Sequence, residues 1–403
     1  MNLSLLLHNS ESREVVELSY SLNEIPASAQ ARFAGRAVLV PTIDWSEFTC
    51  RAVIDWIDIS FSFGRRTQHQ WLSDAIATAV GLNCYVEPLN AEEGGVSALF
   101  RVRFQEPNLR IIRQLYAALD GTFGLVGEPE VCGLELSVDF TPNEPCARSR
   151  ALMYGVLTRH FWTAVDLTTS PLDRMRVVSG SGRRVRYVLA RQKRASAAGD
   201  DELCISGTKD VAAQPGATMY AGSKNGMVQW RIMDKVLDRQ NRSAGTFKLL
   251  PDEEKRVRIE VTLGKSELRA CGIQRIEDLT AISMTTMQGR YFRFMLPTFK
   301  CQVNSPASRQ QAMDAWWARL EIQKFFTTGV MGLSQLEAVH TQMRARTRKA
   351  CREDFRRRKL RMSGLPRVGN GQTGNLIAFQ ELNEMVRCAL RSLGKRLGRQ
   401  MRE

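Results

Sequence analysis

Acidic side chains alternate along a short segment with a β-strand pattern. In Leu134–Asp139, the side chains of Glu135, Ser137 and Asp139 share one face, because side chains of a strand repeat every two residues. Two carboxylates on one face repel each other unless a cation or a base lies between them. With Glu260 from another strand, they can form an oxygen-rich site for Mg²⁺ or Mn²⁺. The alternative is a solvent-facing acidic row paired with arginines.

A further acidic pair lies in Arg51–Phe63, which has a strong strand pattern. Strict alternation places Asp55 and Asp58 on opposite faces of this strand, so at most one of them can join the metal site. Asp58 is the preferred one. The predicted metal ligands are therefore Asp139, Glu260, Glu135 and Asp58.

Cationic side chains lie on two more strand patterns. Arg231 and Lys235 share one face of Gln229–Lys235, and Arg258 shares a face with Glu260 farther along the chain. Carboxylates that hold a metal, together with cations that face phosphates, are what an enzyme acting on phosphate esters needs. The sequence therefore indicates phosphate-ester chemistry on rigid strands.

Three pieces of the chain match one family pattern in order and spacing, and two upstream pieces support the match. They are Tyr220–Lys224 (YAGSK), Arg231–Lys235 (RIMDK) and Arg258–Val261 (RIEV), with Ile54–Phe61 and Leu134–Asp139 upstream. The pattern resembles the replication initiation factor family, the rolling-circle initiators of filamentous phages and small plasmids. The resemblance extends from about Cys50 to Pro297.

The resemblance implies a protein that binds an origin as single-stranded or hairpin DNA and nicks one strand. A tyrosine attacks the phosphodiester with the help of Mg²⁺ or Mn²⁺, leaving a 5′-phosphotyrosine and a 3′-hydroxyl primer. Such an enzyme is a site-specific single-strand endonuclease and ligase. Tyr220 is the predicted nucleophile, Arg231 and Lys235 are the catalytic cations, and Lys224 and Arg258 contact DNA.

The nucleophile is the point where this chain departs from the family. Where the family has Arg-Ile-Tyr-Asp-Lys, this chain has Met233. Tyr220 lies in a matching piece but also fits a strand tyrosine packed on the core, and Tyr291 and Tyr187 are the next candidates, because arginines flank both. A DNA-binding initiator or regulator without nicking activity is therefore an alternative, as is a conjugative relaxase. A single-stranded DNA-binding or RNA-binding module fits the charge but does not explain the acidic strand faces.

The charge of the chain is strongly positive and unevenly distributed. Its net charge is +15, and residues 306–403 hold 20 Lys and Arg against 8 Asp and Glu, a net charge of +12. A basic segment of this kind is typical of proteins that bind a polyanion, and nucleic acid is preferred over a merely solvated helix surface. The predicted DNA contacts in this region are Arg344, Arg348, Arg352, Arg356, Arg357, Arg358 and Lys359.

The composition of the chain excludes several other classes of protein and of metal site. The nine cysteines form no Cys-x-x-Cys pair, so neither a zinc site nor a disulfide framework is predicted, and the reducing cytoplasm is the expected compartment. The four histidines are far apart in sequence, which excludes nucleases with a histidine-pair metal motif. No apolar run reaches the length of a membrane span. The expected partners are origin DNA, a host helicase and polymerase, and a second copy joined through the C-terminal helices, but no membrane.

Strand and helix patterns follow one another along most of the chain, which predicts an α+β fold. We expect largely antiparallel sheet lobes with helices on one side, in the ferredoxin-like or relaxase-like arrangement that the resemblance implies, followed by a basic helical C-terminal region. The predicted domains are an N-terminal extension over 1–50, a nicking domain over 51–300 and the basic helical region over 306–403. Within that last region, helices are predicted over Gln311–Phe326, Ser334–Leu360 and Leu376–Arg399.

Overall fold

The computed structural model of the chain describes residues 1–8, 13–26, 31–81, 84–91, 95–165, 167, 173–179, 185–189, 210–241, 246–301, 308–358 and 375–402. Within these residues the strands are β1 Asn2–His8, β2 Arg13–Glu24, β3 Arg36–Pro41, β4 Phe48–Gln68, β5 Tyr85–Leu89, β6 Val96–Gln105, β7 Glu130–Pro142, β8 Phe161–Trp162, β9 Arg176–Ser179, β10 Val185–Tyr187, β11 Ala217–Ala221, β12 Val228–Lys235, β13 Leu237–Asn241, β14 Thr246–Leu249, β15 Arg256–Gly264, β16 Arg293–Lys300 and β17 Leu376–Ala378.

The α-helices in the same residues are α1 His69–Val80, α2 Leu109–Phe123, α3 Ala147–His160, α4 Lys265–Ala270, α5 Asp278–Ala281, α6 Thr285–Tyr291, α7 Arg309–Arg357 and α8 Gln380–Arg402. Short 3-10 turns lie at Ala31–Phe33, Trp45–Glu47 and Asp252–Glu254. The predicted α+β class with antiparallel sheets and several helices is confirmed. None of the helices in the described residues is both long enough and apolar enough to cross a membrane.

The chain folds into two compact units that alternate along the sequence. The first contains Met1–Asp44, Ala147–Met219 and Arg293–Gln380, and the second contains Trp45–Cys146, Tyr220–Phe292 and Glu381–Glu403. Each unit is thus assembled from three separate stretches. The predicted boundaries near residues 50 and 300 divide the chain linearly, so they describe a different partition from these units.

The first unit is built on a sheet with the order β1-β2-β3-β16-β17, and β8 also pairs with β16. α3 packs closely on this sheet. A Cβ atom at Gly155 would lie only 2.7 Å from Leu5 Cδ1, so a larger residue at this position would force the Leu5 side chain to shift. α7 is interrupted at Gly329, where φ is +69°, and this break falls between the two helices that the sequence predicts for the region.

The second unit contains the sheet that carries the predicted site. Its strands run in the order β5-β6-β4-β7-β15-β12, and β11, in which the chain passes from the first unit to the second, lies next to β12. Ile57 pairs with Phe104 and with Leu134, and Leu136 pairs with Val261. All these side chains are buried, so one face of the sheet is apolar.

Two helices cover that apolar face. The ring of Tyr116 on α2 meets Phe61 edge to face, with ring centroids 5.6 Å apart, and α1 packs beside α2 and against β5. The side chain of Asn108 caps α2 by accepting from Arg110 N at 3.1 Å. Gly124 ends this helix with a φ of +70°.

α8 covers part of the edge of β4. β6 pairs with β4 only from Trp56 onward, so the stretch of β4 before that residue has a free edge. Arg396 of α8 donates to the carbonyl oxygen of Ala52 in that stretch, and Gln400 accepts from Leu109 N at 3.4 Å. The last helix of the chain therefore belongs to the same unit as the central sheet.

Candidate active site

Three adjacent strands bring the predicted charged residues onto one face of the sheet. Arg231 on β12 pairs with Glu260 on β15, and Glu260 pairs with Ser137 on β7. One step along the same face, Arg258 pairs with Asp139. Alternation within each strand is as predicted, and the antiparallel register places these polar faces side by side.

A β-bulge in β4 changes which aspartate joins them. Ile54 pairs with Leu136 and Trp56 pairs with Glu135, so Asp55 is an extra residue without a partner in the register. The bulge inverts the alternation, and Asp55 and Asp58 therefore lie on the same face as Glu135. The predicted placement of the two aspartates on opposite faces is wrong for this reason.

Three carboxylates form a compact acidic group on this face: Asp55, Glu135 and Glu260. One ligand oxygen from each lies within 4.8 Å of the others. An ion that binds oxygen at about 2.1 Å separates its ligands by at most about 4.2 Å, so the side chains need to move by less than about 1 Å to bind one. A donor set of carboxylate oxygens suits Mg²⁺ or Mn²⁺.

Ser137 Oγ is a buried polar atom beside this group that has no hydrogen-bond partner in the described residues. Ser137 pairs with Glu260 across β7 and β15, and both residues are almost completely buried. Buried polar atoms are normally satisfied, so this hydroxyl fits a bound ion or group.

The predicted ligand set changes accordingly. Glu135 and Glu260 lie in the acidic group, and Asp55 takes the position predicted for Asp58. Asp58 instead accepts two hydrogen bonds from Arg103, each of 2.7 Å. Asp139 lies on the same face but is bound to Arg258, outside the group of three.

Arg258 connects the acidic group to Asp139. Its Nε donates to Asp139 Oδ1 at 2.5 Å and its Nη2 to Oδ2 at 2.7 Å, while Nη1 donates to Asp55. The Arg258 side chain is only 2% exposed. It can contact DNA, as the sequence predicts, only by giving up these carboxylates.

Arg231 bridges the other two members of the acidic group. Its Nη2 donates to Glu135 Oε2 at 2.7 Å and forms an ion pair with Glu260. Thr262 donates to the same oxygen of Glu135 at 2.8 Å. The Arg231 side chain is 30% exposed, so this cation is accessible from the open side of the sheet.

Burial shifts the protonation equilibria of this face. Burial, together with the negative charges of Glu135 and Asp55, raises the pKa of Glu260 to about 7, although the charges of Arg231 and Arg258 oppose the shift. Burial lowers the pKa of Arg231, but the electrostatic interactions with Glu260, Glu135 and Tyr220 raise it by more, so the pKa of Arg231 lies above its ordinary value. The acidic group is therefore a site at which proton uptake and cation binding compete.

The predicted nucleophile lies near this group. Tyr220 on β11 is half-buried between the buried residues Met219 and Ala221, so its side chain points to the opposite face from theirs. An electrostatic interaction between Tyr220 and Arg231 is among those that raise the pKa of the arginine, so the two side chains are close to each other. The structure thus brings together Tyr220, Arg231 and the acidic group.

The other two tyrosine candidates lie on different elements from Tyr220. Tyr291 ends α6, is 2% exposed, and its hydroxyl donates to Glu267 Oε1 at 2.7 Å. Tyr187 lies on β10 in the first unit.

Two residues of the Arg-Ile-Met-Asp-Lys piece also lie on the charged face. Met233 is half-buried and pairs with Arg258, and Lys235 pairs with Arg256. Burial, and then the charge of Arg258, lower the pKa of Lys235. A side chain at position 233 therefore lies beside the arginine that binds Asp139 and Asp55.

The predicted DNA-binding residues are spread over both units. Lys224 is exposed in the turn between β11 and β12, where Gly222 has a φ of +84°. Arg352, Arg356, Arg357 and Arg358 are exposed at the end of α7, and the last two pair with Asp354. The side chains of Arg344 and Arg348 lie outside the described residues, as does the whole of Lys359.

A cleft of about 810 Å³ opens on the charged face beside the acidic group. Its lining includes Arg51, Asp55, Asp139, Arg258, Leu393 and Arg396. Burial lowers the pKa of Arg396, and the charges of Arg51 and Arg399 lower it further. Arg51 is exposed and has no ion pair or hydrogen bond through its guanidinium to the described residues. Two arginines without carboxylate partners therefore converge at this cleft.

Sequence patterns could have identified Asp55, but not the cleft arginines. Buried apolar residues of β4 recur at 52, 54, 57 and 59, so one step of three interrupts the steps of two. That change of phase is the signature of a bulge. Arg51 and Arg396 are more than three hundred residues apart, and only the packing of α8 brings them together.

The chain was compared with models of known protein families and with curated proteins, and neither comparison gave a match.

Proposed function

We propose that this protein is a rolling-circle DNA replication initiator that nicks one strand at an origin by tyrosine attack. One observation carries the proposal: Asp55, Glu135 and Glu260 form an acidic group on a sheet face that also holds Arg231 and Tyr220. Carboxylates, a cation and a phenol are the groups that a metal-assisted transesterification of DNA requires.

In the proposed reaction, the phenol oxygen of Tyr220 attacks the phosphorus of one phosphodiester. A phosphotyrosine ester forms at the 5′ end, and the bond to the 3′ oxygen breaks. The phenol gives up its proton and the leaving 3′ oxygen takes one up, so a free 3′-hydroxyl remains to prime synthesis. Reversal by that or another 3′-hydroxyl rejoins the strand.

Arg231 is placed to stabilise the charge that develops on the phosphate. Its side chain is partly exposed, and it lies between the acidic group and Tyr220. Lys235 is a second cation on this face of β12. Charge stabilisation of this kind supplies a large part of the rate in phosphate-ester enzymes.

Asp55, Glu135 and Glu260 would hold the divalent ion, with Ser137 beside them. A bound Mg²⁺ or Mn²⁺ would neutralise phosphate charge and polarise a phosphate oxygen. In this structure Arg231 and Arg258 neutralise the same carboxylates, so ion binding has to replace part of that pairing.

A second function is favoured by Met233. The resembling family has tyrosine at this position, and here a methionine lies beside Arg258 on the charged face. An initiator or regulator that binds the origin without cutting it is therefore the alternative. A conjugative relaxase would use the same chemistry, and the initiator is preferred because the matching pieces resemble initiators.

The proposal includes a relaxase-like, ferredoxin-related arrangement for the second unit. Two features support it: an antiparallel sheet with α1 and α2 on its apolar face, and an acidic group on the other face. The proposed partners are the origin as single-stranded or hairpin DNA, a host helicase and polymerase, and a second copy of the chain.

A nicking assay on the replicon's own origin, as single-stranded DNA with Mn²⁺ or Mg²⁺, tests the proposal. The expected result is a covalent protein–DNA adduct that forms with either ion and is absent with EDTA. Mass spectrometry of the digested adduct should locate the DNA on Tyr220. The variant Tyr220→Phe, which keeps the ring, should form no adduct.

An adduct on another tyrosine would assign the nucleophile to that residue and would still support a nicking enzyme. Specific origin binding without cleavage under either ion would instead establish the binding-only alternative. Met233→Tyr then becomes informative, because a gain of cleavage would identify position 233 as the place where the nucleophile was lost.

A further inference from the structure

A tryptophan and an arginine form a fixed stack next to the acidic group. The guanidinium carbon of Arg103 lies 3.8 Å from the ring centroid of Trp56. Asp58 accepts two hydrogen bonds of 2.7 Å from the same guanidinium. The guanidinium is therefore held by Asp58 along one edge and by the Trp56 ring on one face, so it is organised before any ligand binds.

The stack lies directly on the sheet. A Cβ atom at Gly133 would be 3.1 Å from Trp56 Cζ3, so the ring packs closely on β7 and a larger residue at this position would force the ring to shift. Trp56 pairs with Glu135, a member of the acidic group. The bulge at Asp55 therefore turns two groups to the same face, a carboxylate for the proposed ion and an aromatic ring beside it.

A second aromatic side chain extends this surface toward the edge of the sheet. Tyr85 on β5 pairs with Arg103 on β6, and it is 63% exposed although its neighbour Val86 is buried. Tyr85 and Trp56 belong to strands separated by β6 and are offset by two residues along β6, so their Cα atoms lie about 12 Å apart. α1 and α2 pack on the opposite face, and Tyr85 is exposed on the face that it shares with Arg103.

We propose that Tyr85 and the Trp56–Arg103 stack form a platform on which unpaired bases of single-stranded DNA stack beside the acidic group. Aromatic rings and guanidinium planes bind bases of any sequence through their flat faces. The platform is continuous with the face that would handle the phosphate, so bases next to the reacting phosphodiester are the ligands within reach.

The inference rests on the DNA-binding part of the proposed function and does not depend on cleavage. It is therefore tested with EDTA present, by fluorescence anisotropy of a labelled thymidine oligonucleotide. A second oligonucleotide of the same length keeps the phosphates but has abasic sites in place of the bases. The comparison separates stacking from the attraction of phosphates.

Tyr85→Ala should weaken binding of the thymidine oligonucleotide by about 5- to 100-fold and leave binding of the abasic one unchanged. Tyr85→Phe keeps a stacking ring and should bind like the wild type. The matched control is Trp71→Ala, because Trp71 is 65% exposed but belongs to α1, which packs beside α2 away from the charged face. A second test variant, Trp56→Leu, should behave like Tyr85→Ala once thermal melting has shown that it is folded.

The platform is contradicted if Tyr85→Ala weakens binding of both oligonucleotides equally, or if it weakens binding of neither. If the wild type binds neither oligonucleotide, the DNA-binding part of the proposed function fails as well. Base-dependent binding without any nicking would support the platform and contradict only the catalytic part of the proposed function.

Discussion

Arg258 and Asp139 face each other on adjacent strands and are joined at two points, Nε to Oδ1 at 2.5 Å and Nη2 to Oδ2 at 2.7 Å. Their side chains are only 2% and 8% exposed. The third nitrogen of Arg258 donates to Asp55, which belongs to the acidic group. One buried arginine therefore fixes both the acid that lies outside the proposed ion site and one that lies within it.

Removal of this arginine should destabilise the fold. Arg258→Met leaves Asp55 without its ion-pair partner and Asp139 with only Arg256, and loss of one partner of a buried pair costs about 3–5 kcal/mol. Urea unfolding monitored by circular dichroism measures the change. Arg269→Ala is the matched control, because Arg269 is 54% exposed in its pair with Glu130, and it should change the free energy of unfolding little. Equal stability of Arg258→Met and the wild type would contradict the interpretation.

Metal affinity should rise with pH between 6 and 8. Burial raises the pKa of Glu260 from its ordinary value of 4.5 to about 7, so this carboxyl is protonated at pH 6 and must lose a proton to bind an ion. Calorimetric titration with Mn²⁺ should show the rise in the wild type and a weak, flat dependence in Glu260→Gln. Glu254→Gln removes an exposed acid of the cleft and should keep the wild-type profile.

Without metal, the same carboxyl should make the fold less stable as pH rises from about 4.5 to 7. The native state holds this proton over that range while the unfolded chain releases it, so the free energy of unfolding falls with increasing pH. Unfolding of the wild type and of Glu260→Gln at a series of pH values isolates this contribution. A contribution that grows with pH would have the wrong sign and would count against the buried, protonated carboxyl.

Two aspartates three residues apart provide a direct test of the acidic group. Asp55→Asn should weaken Mn²⁺ binding by at least about tenfold, because it removes one of three charged ligands. Asp58→Asn should leave Mn²⁺ binding nearly unchanged, since Asp58 binds Arg103. Weaker Mn²⁺ binding in Asp58→Asn than in Asp55→Asn would instead support Asp58 as the ligand, as the sequence predicts.

The cleft arginines should contribute to the salt dependence of DNA binding. Arg396 is held against β4 beside Arg51, and neither arginine has a carboxylate partner in the described residues. Arg396→Ala should reduce the slope of log affinity against log salt for single-stranded DNA by about 0.7, the value for one phosphate contact. Arg387→Ala is the control on the same helix, because Arg387 pairs with Glu384 and does not line the cleft. An unchanged slope for Arg396→Ala would place the DNA elsewhere.

Much of the charged face could be predicted from local patterns. The alternation of Glu135 with Leu136, and of Glu260 with Val261, follows from the two-residue period of a strand and holds in the structure. The break of the long C-terminal helix near residue 329 also follows from helical periodicity on either side of it. These features depend on residues close together in the chain.

Other features could not be predicted in this way. The bulge at Asp55 arises from the register between β4 and β7, and these strands are separated by two helices and two strands along the chain. Asp139 is a plausible ligand by type and face, but its neighbour across the sheet is Arg258, which binds it instead. Pairing of this kind depends on which strands lie side by side.

The sequence by itself determined the polar and apolar faces of each strand, the positions of most helices and the basic character of the last quarter of the chain. The reason is that side-chain alternation and charge are properties of the local chain. Only the tertiary structure decided that Asp55 joins Glu135 and Glu260, that Trp56 stacks under Arg103 on the same face, and that α8 brings Arg396 to Arg51. Each of these depends on hydrogen-bond register or packing between segments distant in sequence, which no local pattern encodes.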